Sequence, residues 1–128
     1  TKDKTGEEEI TKAEIDPIID VPIVVLTNES SASASEILAG ALKDNGKATI
    51  VGEKTYGKGV IQELLTLTDG SGLKITTSEY YTPNRNKINE VGITPDVEVK
   101  LDEEIEDELT IEESKDNQLQ KAIEILKK

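Results

Sequence analysis

Residues 21–52 read VPIVVLTNESSASASEILAGALKDNGKATIVG. Two short apolar runs rich in β-branched residues, 21–27 and 48–51, flank a segment with helical character. Continuous apolar runs of this length are typical of strands buried on both faces of a parallel sheet. A strand, a helix and a second strand within about 30 residues indicate a βαβ crossover. We therefore predict an α/β fold with a mixed sheet.

The helix of this crossover carries start and stop signals. We expect it to begin near Ser33, because Glu36 three residues later completes the pattern of a capping box. Gly46 lies where a glycine commonly follows a helix C-terminus, and Lys43 lies in the last turn. The apolar stripe between them consists of Ile37, Leu38, Ala41 and Leu42.

Beyond Gly59 the hydrophobic pattern changes to an alternation with a period of two. Residues 60–68 and 73–81 flank the sequence Asp69-Gly70-Ser71-Gly72. Alternating strands around a glycine-rich turn predict a β-hairpin.

The two ends of the chain are acidic. We expect residues 1–20 to form a loop or short edge strand, and a further short strand to cover 97–99. Residues 101–116 are expected to be an acidic linker or loose helix, with Ile105 among its few apolar anchors. Residues 117–128 have the amphipathic pattern of a closing helix.

Composition excludes several classes of function. The 128 residues carry a net charge of −12, which disfavours nucleic-acid binding because phosphate contacts need a basic surface. No apolar run approaches the roughly 20 residues of a membrane span. The chain has no His and no Cys. A thiol nucleophile, a Ser-His-Asp triad within the chain and a zinc site of the usual type are therefore excluded.

The stretch from residue 28 to 62 nevertheless has the components of a nucleophilic site. Ser33 lies at a strand-to-helix junction, where free N–H groups and the helix dipole suit a developing oxyanion. Without histidine, lysine is the recognised alternative base, and Lys58 lies between two glycines. A free lysine has a pKa of about 10.4, so burial beside apolar groups would be needed to lower the pKa of Lys58. Gln62 could hydrogen-bond the amine and orient it.

Each of these residues also has a simpler interpretation. From spacing alone, Ser33 is more readily a helix N-cap than a nucleophile. Lysines in glycine-rich turns are commonly exposed, as we expect for Lys54, and Gln62 could face solvent on a strand. Other hydroxyls lie nearby, namely Ser30, Ser31 and Ser35.

A phosphate-binding loop is a further alternative for residues 52–59. The glycines and Lys58 match that motif up to its last position, where Gly59 replaces the Ser or Thr that holds magnesium. Residues from Val60 onward alternate as a strand, whereas such a loop opens a helix. Nucleotide binding is therefore disfavoured.

Four motifs in order resemble the carboxyl-terminal processing proteases, also called tail-specific proteases. Residues 31–44 and 51–62 carry two of them. The patterns Tyr-Tyr-Thr-Pro at 80–83 and Gly-Ile-Thr-Pro-Asp at 92–96 follow in the family's order. The similarity extends over about residues 21–100, which we expect to form the catalytic core.

This resemblance implies a role for each site residue. Ser33 aligns with the nucleophile, Lys58 with the general base and Gln62 with the residue that positions the lysine. The N–H of Ala34 aligns with one donor of the oxyanion hole. The implied reaction is peptide hydrolysis through an acyl-enzyme, without a metal or organic cofactor.

The resemblance also implies that residues 1–128 are the C-terminal part of a crotonase-like peptidase core. The family's second oxyanion donor and its PDZ domain would then lie upstream, and the isolated fragment would have little or no activity. The implied substrates are proteins or peptides with free C-terminal tails. The parent protein is expected to be membrane-anchored outside the cytoplasm, and unpaired strand edges could allow homo-oligomers.

Overall fold

The computed structural model describes residues 1–15, 21–102, 105 and 110–127. In these residues, two small sheets and two helices follow one another along the chain. The elements are β1 (Lys2–Asp3), β2 (Val24–Thr27), α1 (Ala34–Asp44), β3 (Thr49–Gly52), β4 (Val60–Thr66), β5 (Gly72–Glu79), β6 (Val97–Glu98) and α2 (Asn117–Leu126).

The parallel sheet has the order β2-β3-β6. Strands β2 and β3 pair in parallel from Val24↔Thr49 to Thr27↔Gly52, and α1 connects them, which confirms the predicted strand-helix-strand unit. Strand β3 is central and almost completely buried. The expectation that β2 is buried on both faces is wrong for this chain: β2 is an edge strand, and Leu26 is 40% exposed.

Both ends of α1 follow the sequence signals. Ser33 is the N-cap residue. At the other end, Gly46 has φ +63°, and its N–H donates to Lys43 O at 2.9 Å. The N–H of Lys47 donates to Leu42 O at 2.9 Å, which completes a Schellman motif. Glycine ends the helix here because its positive φ costs no Cβ strain.

The second sheet has the order β1-β5-β4, and all its pairings are antiparallel. Strands β4 and β5 form the predicted hairpin, with a register shift between Ile61 and Gln62. Strand β1 pairs with β5 at Lys2↔Glu79, so the lead-in does contain a short edge strand. The predicted class, α/β with both parallel and antiparallel strands, is confirmed, and these strands lie in two sheets.

The core lies between α1, β3 and the segment before β6. Its fully buried apolar side chains are Ala39, Ile50, Val51 and Ile88. Helix α2 packs on β2 and β3, and its N-cap Asp116 accepts the Leu119 N–H at 2.8 Å. This helix confirms the predicted closing helix through Leu126, while Lys128 lies outside the described residues.

Most of the predicted acidic linker, 103–104 and 106–109, also lies outside the described residues. Ile105 is 7% exposed, so its expected role as an apolar anchor is confirmed. Neither helix in the described ranges has the length and apolar character needed to cross a membrane.

Candidate active site

Ser33 sits in an unusual backbone conformation at the start of α1. Its φ is 57° and its ψ is −114°, a region that residues with a Cβ rarely adopt. Backbone strain of this kind costs of order 1–3 kcal/mol and is concentrated at functional sites. The O atom of Ser33 accepts the first N–H groups of the helix, from Glu36 and Ile37. The serine thus lies at the positive end of the helix dipole.

The capping box at this end is uneven. The Ser33 hydroxyl faces the Glu36 backbone N–H, as in a capping box, but it makes no cap hydrogen bond of ordinary geometry. The Glu36 carboxylate does accept the Ser33 N–H, at 2.9 Å. The next amide, Ala34 N–H, donates no hydrogen bond within the described ranges, and Ala34 is exposed.

Glu36 is the centre of the site's hydrogen bonding, with 0% exposure. Its Oε2 accepts the N–H of Ser33 at 2.9 Å and the N–H of Lys58 at 2.8 Å. Its Oε1 accepts the Gly57 N–H at 2.7 Å and the Thr55 hydroxyl at 2.5 Å. Four donors therefore replace the water that this buried carboxylate loses on folding. One side chain thereby joins two loops: 28–33 before α1, called the serine loop, and 53–59 before β4, called the lysine loop.

The lysine loop packs backbone-to-backbone on the segment 88–93. The N–H of Glu90 donates to Gly57 O at 2.8 Å. A Cβ at Gly57 would lie 3.0 Å from the Gly92 N atom, and a Cβ at Gly92 would lie 2.4 Å from the Thr55 O atom. Since both glycines also have positive φ, no other residue fits this contact without strain.

The far end of α1 is fixed by the Gly-Ile-Thr-Pro-Asp segment. Lys43 Nζ lies 2.9 Å from Asp96 Oδ1 and donates to Thr94 O at 2.6 Å. Asp96 Oδ2 accepts the Ile50 N–H at 2.8 Å. Burial alone would raise the pKa of Asp96, but the Ile50 N–H and the Lys43 ammonium outweigh it and lower the pKa. Helix α1 is thus held at its C-terminus as well as at Ser33.

The side chains predicted to react are less closely organised than their backbones. Lys58 is exposed, so the described part of the chain does not supply the apolar enclosure that a neutral amine requires. No hydrogen bond joins the Lys58 amine to Ser33 or Gln62 within that part. The Gln62 amide instead lies 3.4 Å from the Thr76 hydroxyl on β5, and the role of Gln62 stays a prediction.

Two residues of the site were not assigned to it from the sequence. Glu36 was recognised only as a capping-box residue, and Thr55 was not singled out. Thr55 is 6% exposed, and its hydroxyl accepts the Ile93 N–H at 2.7 Å. The three-residue spacing between Ser33 and Glu36 could have indicated that Glu36 belongs to the site. The hydrogen bond between Thr55 and Ile93 could not be predicted, because nothing in the sequence near either residue indicates it. Among the residues with described positions, no cluster of acidic side chains could hold a metal ion.

Comparisons with known proteins show which family the chain resembles. The profile of peptidase family S41 matches residues 1–99. A carboxyl-terminal-processing protease from Picosynechococcus sp. is 59% identical over 80 residues, which are 62% of this chain and 19% of that protein. The corresponding protease from Synechocystis sp. is 51% identical over 96 residues, 75% of this chain and 22% of that protein.

A solved structure, the photosystem II D1 C-terminal processing protease, matches with a TM-score of 0.60 and 52% identity over 62% of this chain and 20% of that one. This likeness supports the predicted crotonase-like peptidase fold. The chain spans about a fifth of the length of the relatives it matches. From the match over residues 1–99, together with these relatives, the chain belongs to peptidase family S41.

Proposed function

We propose that this chain is the C-terminal part of the catalytic core of a serine endopeptidase that cleaves proteins near their C-termini. In this proposal Ser33 is the nucleophile and Lys58 the general base. The observation that carries the proposal is the shared hydrogen bonding of both residues: their backbone N–H groups donate to the same oxygen of Glu36. Membership in the S41 family supplies the reaction class.

The proposed reaction begins with Lys58 in its neutral form. Its Nζ takes the proton from Ser33 Oγ as Oγ bonds to the scissile carbonyl carbon. The tetrahedral intermediate collapses with cleavage of the C–N bond, and Lys58 returns the proton to the leaving amine. Water then attacks the acyl carbon and gives a proton to Lys58. The C–Oγ bond breaks, Lys58 returns the proton to Ser33 Oγ, and the carboxylic acid product leaves.

The N–H of Ala34 is the proposed donor to the oxyanion. It lies directly after the nucleophile and has no acceptor within the described ranges. Its position at a helix N-terminus favours negative charge. The second donor is expected from another part of the full-length protein. Losing one such donor typically costs about 10²–10³ in rate, so we expect the 128-residue chain alone to turn over very slowly.

Enclosure of Lys58 is also expected from the rest of the peptidase core. The amine is exposed in this chain, and desolvation among apolar groups in the full-length protein would favour its neutral form. In the full-length protein we expect Gln62, which lies on β4 four positions after Lys58, to hydrogen-bond the enclosed amine and orient it toward Ser33.

The relatives support a proposal for the substrates and the location. They are C-terminal processing proteases, and several of them are chloroplastic. We therefore propose protein substrates with free C-terminal tails and a site of action outside the cytoplasm. Membrane anchoring and self-association of the parent are part of the same proposal.

Substitutions in the full-length protein test the assignment. Ser33→Ala and Lys58→Ala should each reduce cleavage of a tailed protein substrate by at least about 10³-fold, because nucleophile and base act as a unit. The matched controls are Ser35→Ala and Lys54→Ala, which remove an exposed hydroxyl and an exposed amine nearby and should leave activity within about twofold. Retained cleavage by either site variant would reject the proposed chemistry.

A non-catalytic interaction module is the second candidate, with Ser33 as a helix cap. The exposure of Lys58 favours this second candidate, because the Ser33 and Lys58 side chains make no hydrogen bond with each other in the described part of the chain. Mass spectrometry of the full-length protein after treatment with a serine-reactive phosphonate separates the candidates. A covalent adduct on Ser33 supports the peptidase, and an unlabelled Ser33 in a folded, intact protein supports the module.

A further inference from the structure

Glu36 and Thr55 have no assigned part in the proposed chemistry, yet their hydrogen bonds link the serine loop to the lysine loop. Two backbone nitrogens that each lie under 3 Å from one oxygen are less than about 6 Å apart. Ser33 and Lys58 are therefore held close together by their main chains. Within the described ranges neither side chain makes an ordinary hydrogen bond, so both could meet a substrate.

Thr55 fixes the carboxylate that makes this link. Its hydroxyl donates to Glu36 Oε1 and at the same time accepts the Ile93 N–H at 2.7 Å. Its backbone N–H donates to Ile93 O at 3.1 Å. A threonine hydroxyl has one proton and two lone pairs, so both its donor and an acceptor position are used. Thr55 thus connects the Gly-Ile-Thr-Pro-Asp segment to the carboxylate.

We propose that Thr55 is a positioning residue, which orients Glu36 so that Ser33 and Lys58 stay at one fixed separation. The segment around Gly92 and Ile93 sets the position of Thr55. This inference rests on the proposed function, because it concerns the same nucleophile and base. Neither Thr55 nor Glu36 touches the reacting atoms, so both act through other residues.

The contacts on Glu36 are the reason to expect an effect on rate rather than on substrate binding. Removing the Thr55 hydroxyl leaves Glu36 Oε1 with one donor instead of two. It also leaves the Ile93 N–H without its acceptor. The carboxylate can then rotate, and the two amides on Oε2 no longer share a fixed partner. A displacement of about 1 Å between reacting groups can cost about 10² in rate.

A merely structural role makes a different prediction. If Thr55 only satisfies buried polar groups, its loss lowers stability but leaves the rate per folded molecule unchanged. Thr55→Ser and Thr55→Val separate these roles. Serine keeps the hydroxyl and loses a methyl group, while valine has a similar shape and loses the hydroxyl.

The rate experiment uses the full-length protein with a tailed protein substrate, and the folded fraction is measured by far-ultraviolet circular dichroism. We expect Thr55→Val to lower kcat by about 10- to 100-fold with KM changed by less than about threefold. Thr55→Ser should retain kcat within about threefold. Equal kcat values for the two variants, in a parent that is active, would overturn the positioning role.

A second measurement reads the hydrogen bonds without any activity. In the isotopically labelled 128-residue chain, the amide proton resonances of Gly57, Lys58 and Ser33 report their bonds to Glu36. Thr55→Val should move all three, Thr55→Ser should not, and the Ile50 amide, which donates to Asp96, is the internal control. Unmoved amides in Thr55→Val would overturn the link.

The two experiments fail in distinguishable ways. If the unsubstituted full-length protein neither cleaves a tailed substrate nor is labelled at Ser33, the proposed function fails and the positioning role fails with it. If that protein is active and Thr55→Val is as fast as Thr55→Ser, only the positioning role fails.

Discussion

Gly59, the residue after the proposed base, is a position where one added methyl group should destabilise the chain through a steric clash alone. A Cβ there would lie 2.4 Å from the Asn89 N atom and 2.9 Å from both the carbonyl carbon and the Cβ of Ile88. The backbone φ of Gly59 is not positive, so the effect of Gly59→Ala is a clash and not dihedral strain. The added atom meets backbone, which cannot swing aside as the end of a side chain can.

The size of the effect can be worked from these distances. Ordinary contact requires about 3.5 Å, so the two backbone segments must separate by about 1 Å. Strand β4 cannot simply shift, because Gly59 O accepts the Tyr80 N–H at 2.7 Å. Overpacking of this kind costs about 1–3 kcal/mol, and we expect Gly59→Ala to fall at the upper end, near 3 kcal/mol. The displacement also moves Lys58.

The matched control is Gly72→Ala in β5. Gly72 also lacks a positive φ, and a Cβ there would only contact Leu64 Cδ1 at 3.4 Å. Gly72→Ala should be neutral or stabilise the chain by up to about 1 kcal/mol, since alanine restricts the unfolded chain. The chain has no Trp and three Tyr, so urea unfolding is best followed by far-ultraviolet circular dichroism.

The expected outcome is a free energy of unfolding about 3–4 kcal/mol lower for Gly59→Ala than for Gly72→Ala, with equal m-values. A difference under about 0.5 kcal/mol would refute the reasoning, because it would mean that segment 88–89 can move away from β4 at no cost. The same variant in the full-length protein should also cleave more slowly per folded molecule.

Ile88→Ala should lower the free energy of unfolding by about 2–5 kcal/mol, because Ile88 is 1% exposed, whereas Leu64→Ala, at a residue 73% exposed, should change it by less than about 0.5 kcal/mol. Urea titrations that show an equal loss of unfolding free energy for both variants would contradict the placement of Ile88 in the core. Asp96→Asn should cost about 1 kcal/mol at pH 7, a modest amount because the Asp96 side chain is partly solvated. The lowered folded-state pKa of Asp96 means that its contribution is present above the unfolded pKa of about 3.9 and is lost as the pH falls through the folded value; a deficit that is the same at pH 7 and pH 2 would show that the charge is not involved.

The parts of the fold that sequence predicts are those with local causes. Gly46 and the Ser33–Glu36 spacing mark the ends of α1 because caps depend on neighbouring residues. The hairpin follows from alternation on both sides of a glycine-rich turn. The order of β2, β3 and β6 has no local cause. The sequence of β2 has the apolar pattern of a central strand, and only the sheet order makes β2 an edge strand with Leu26 partly exposed.

The site shows the same division. The serine, the lysine and their motif order are visible along the chain, and so is the acid three residues after Ser33. The hydroxyl of Thr55 gains its role from Ile93, 38 positions away, and no periodicity records such a contact. The enclosure proposed for Lys58 would need surfaces outside the described part of this chain, so the local sequence could not reveal it.

The separation of these contacts along the chain has a consequence for synthesis and folding. Glu36 accepts hydrogen bonds from lysine-loop residues 19–22 positions away. The hydrogen bond from Ile93 N–H to the Thr55 hydroxyl can form only after Ile93 has left the ribosome. Contacts that close such long loops form late, after local turns and helices. A nascent polypeptide therefore exposes Ser33 well before its geometry is complete, which would delay any hydrolytic competence until the C-terminal portion has been made.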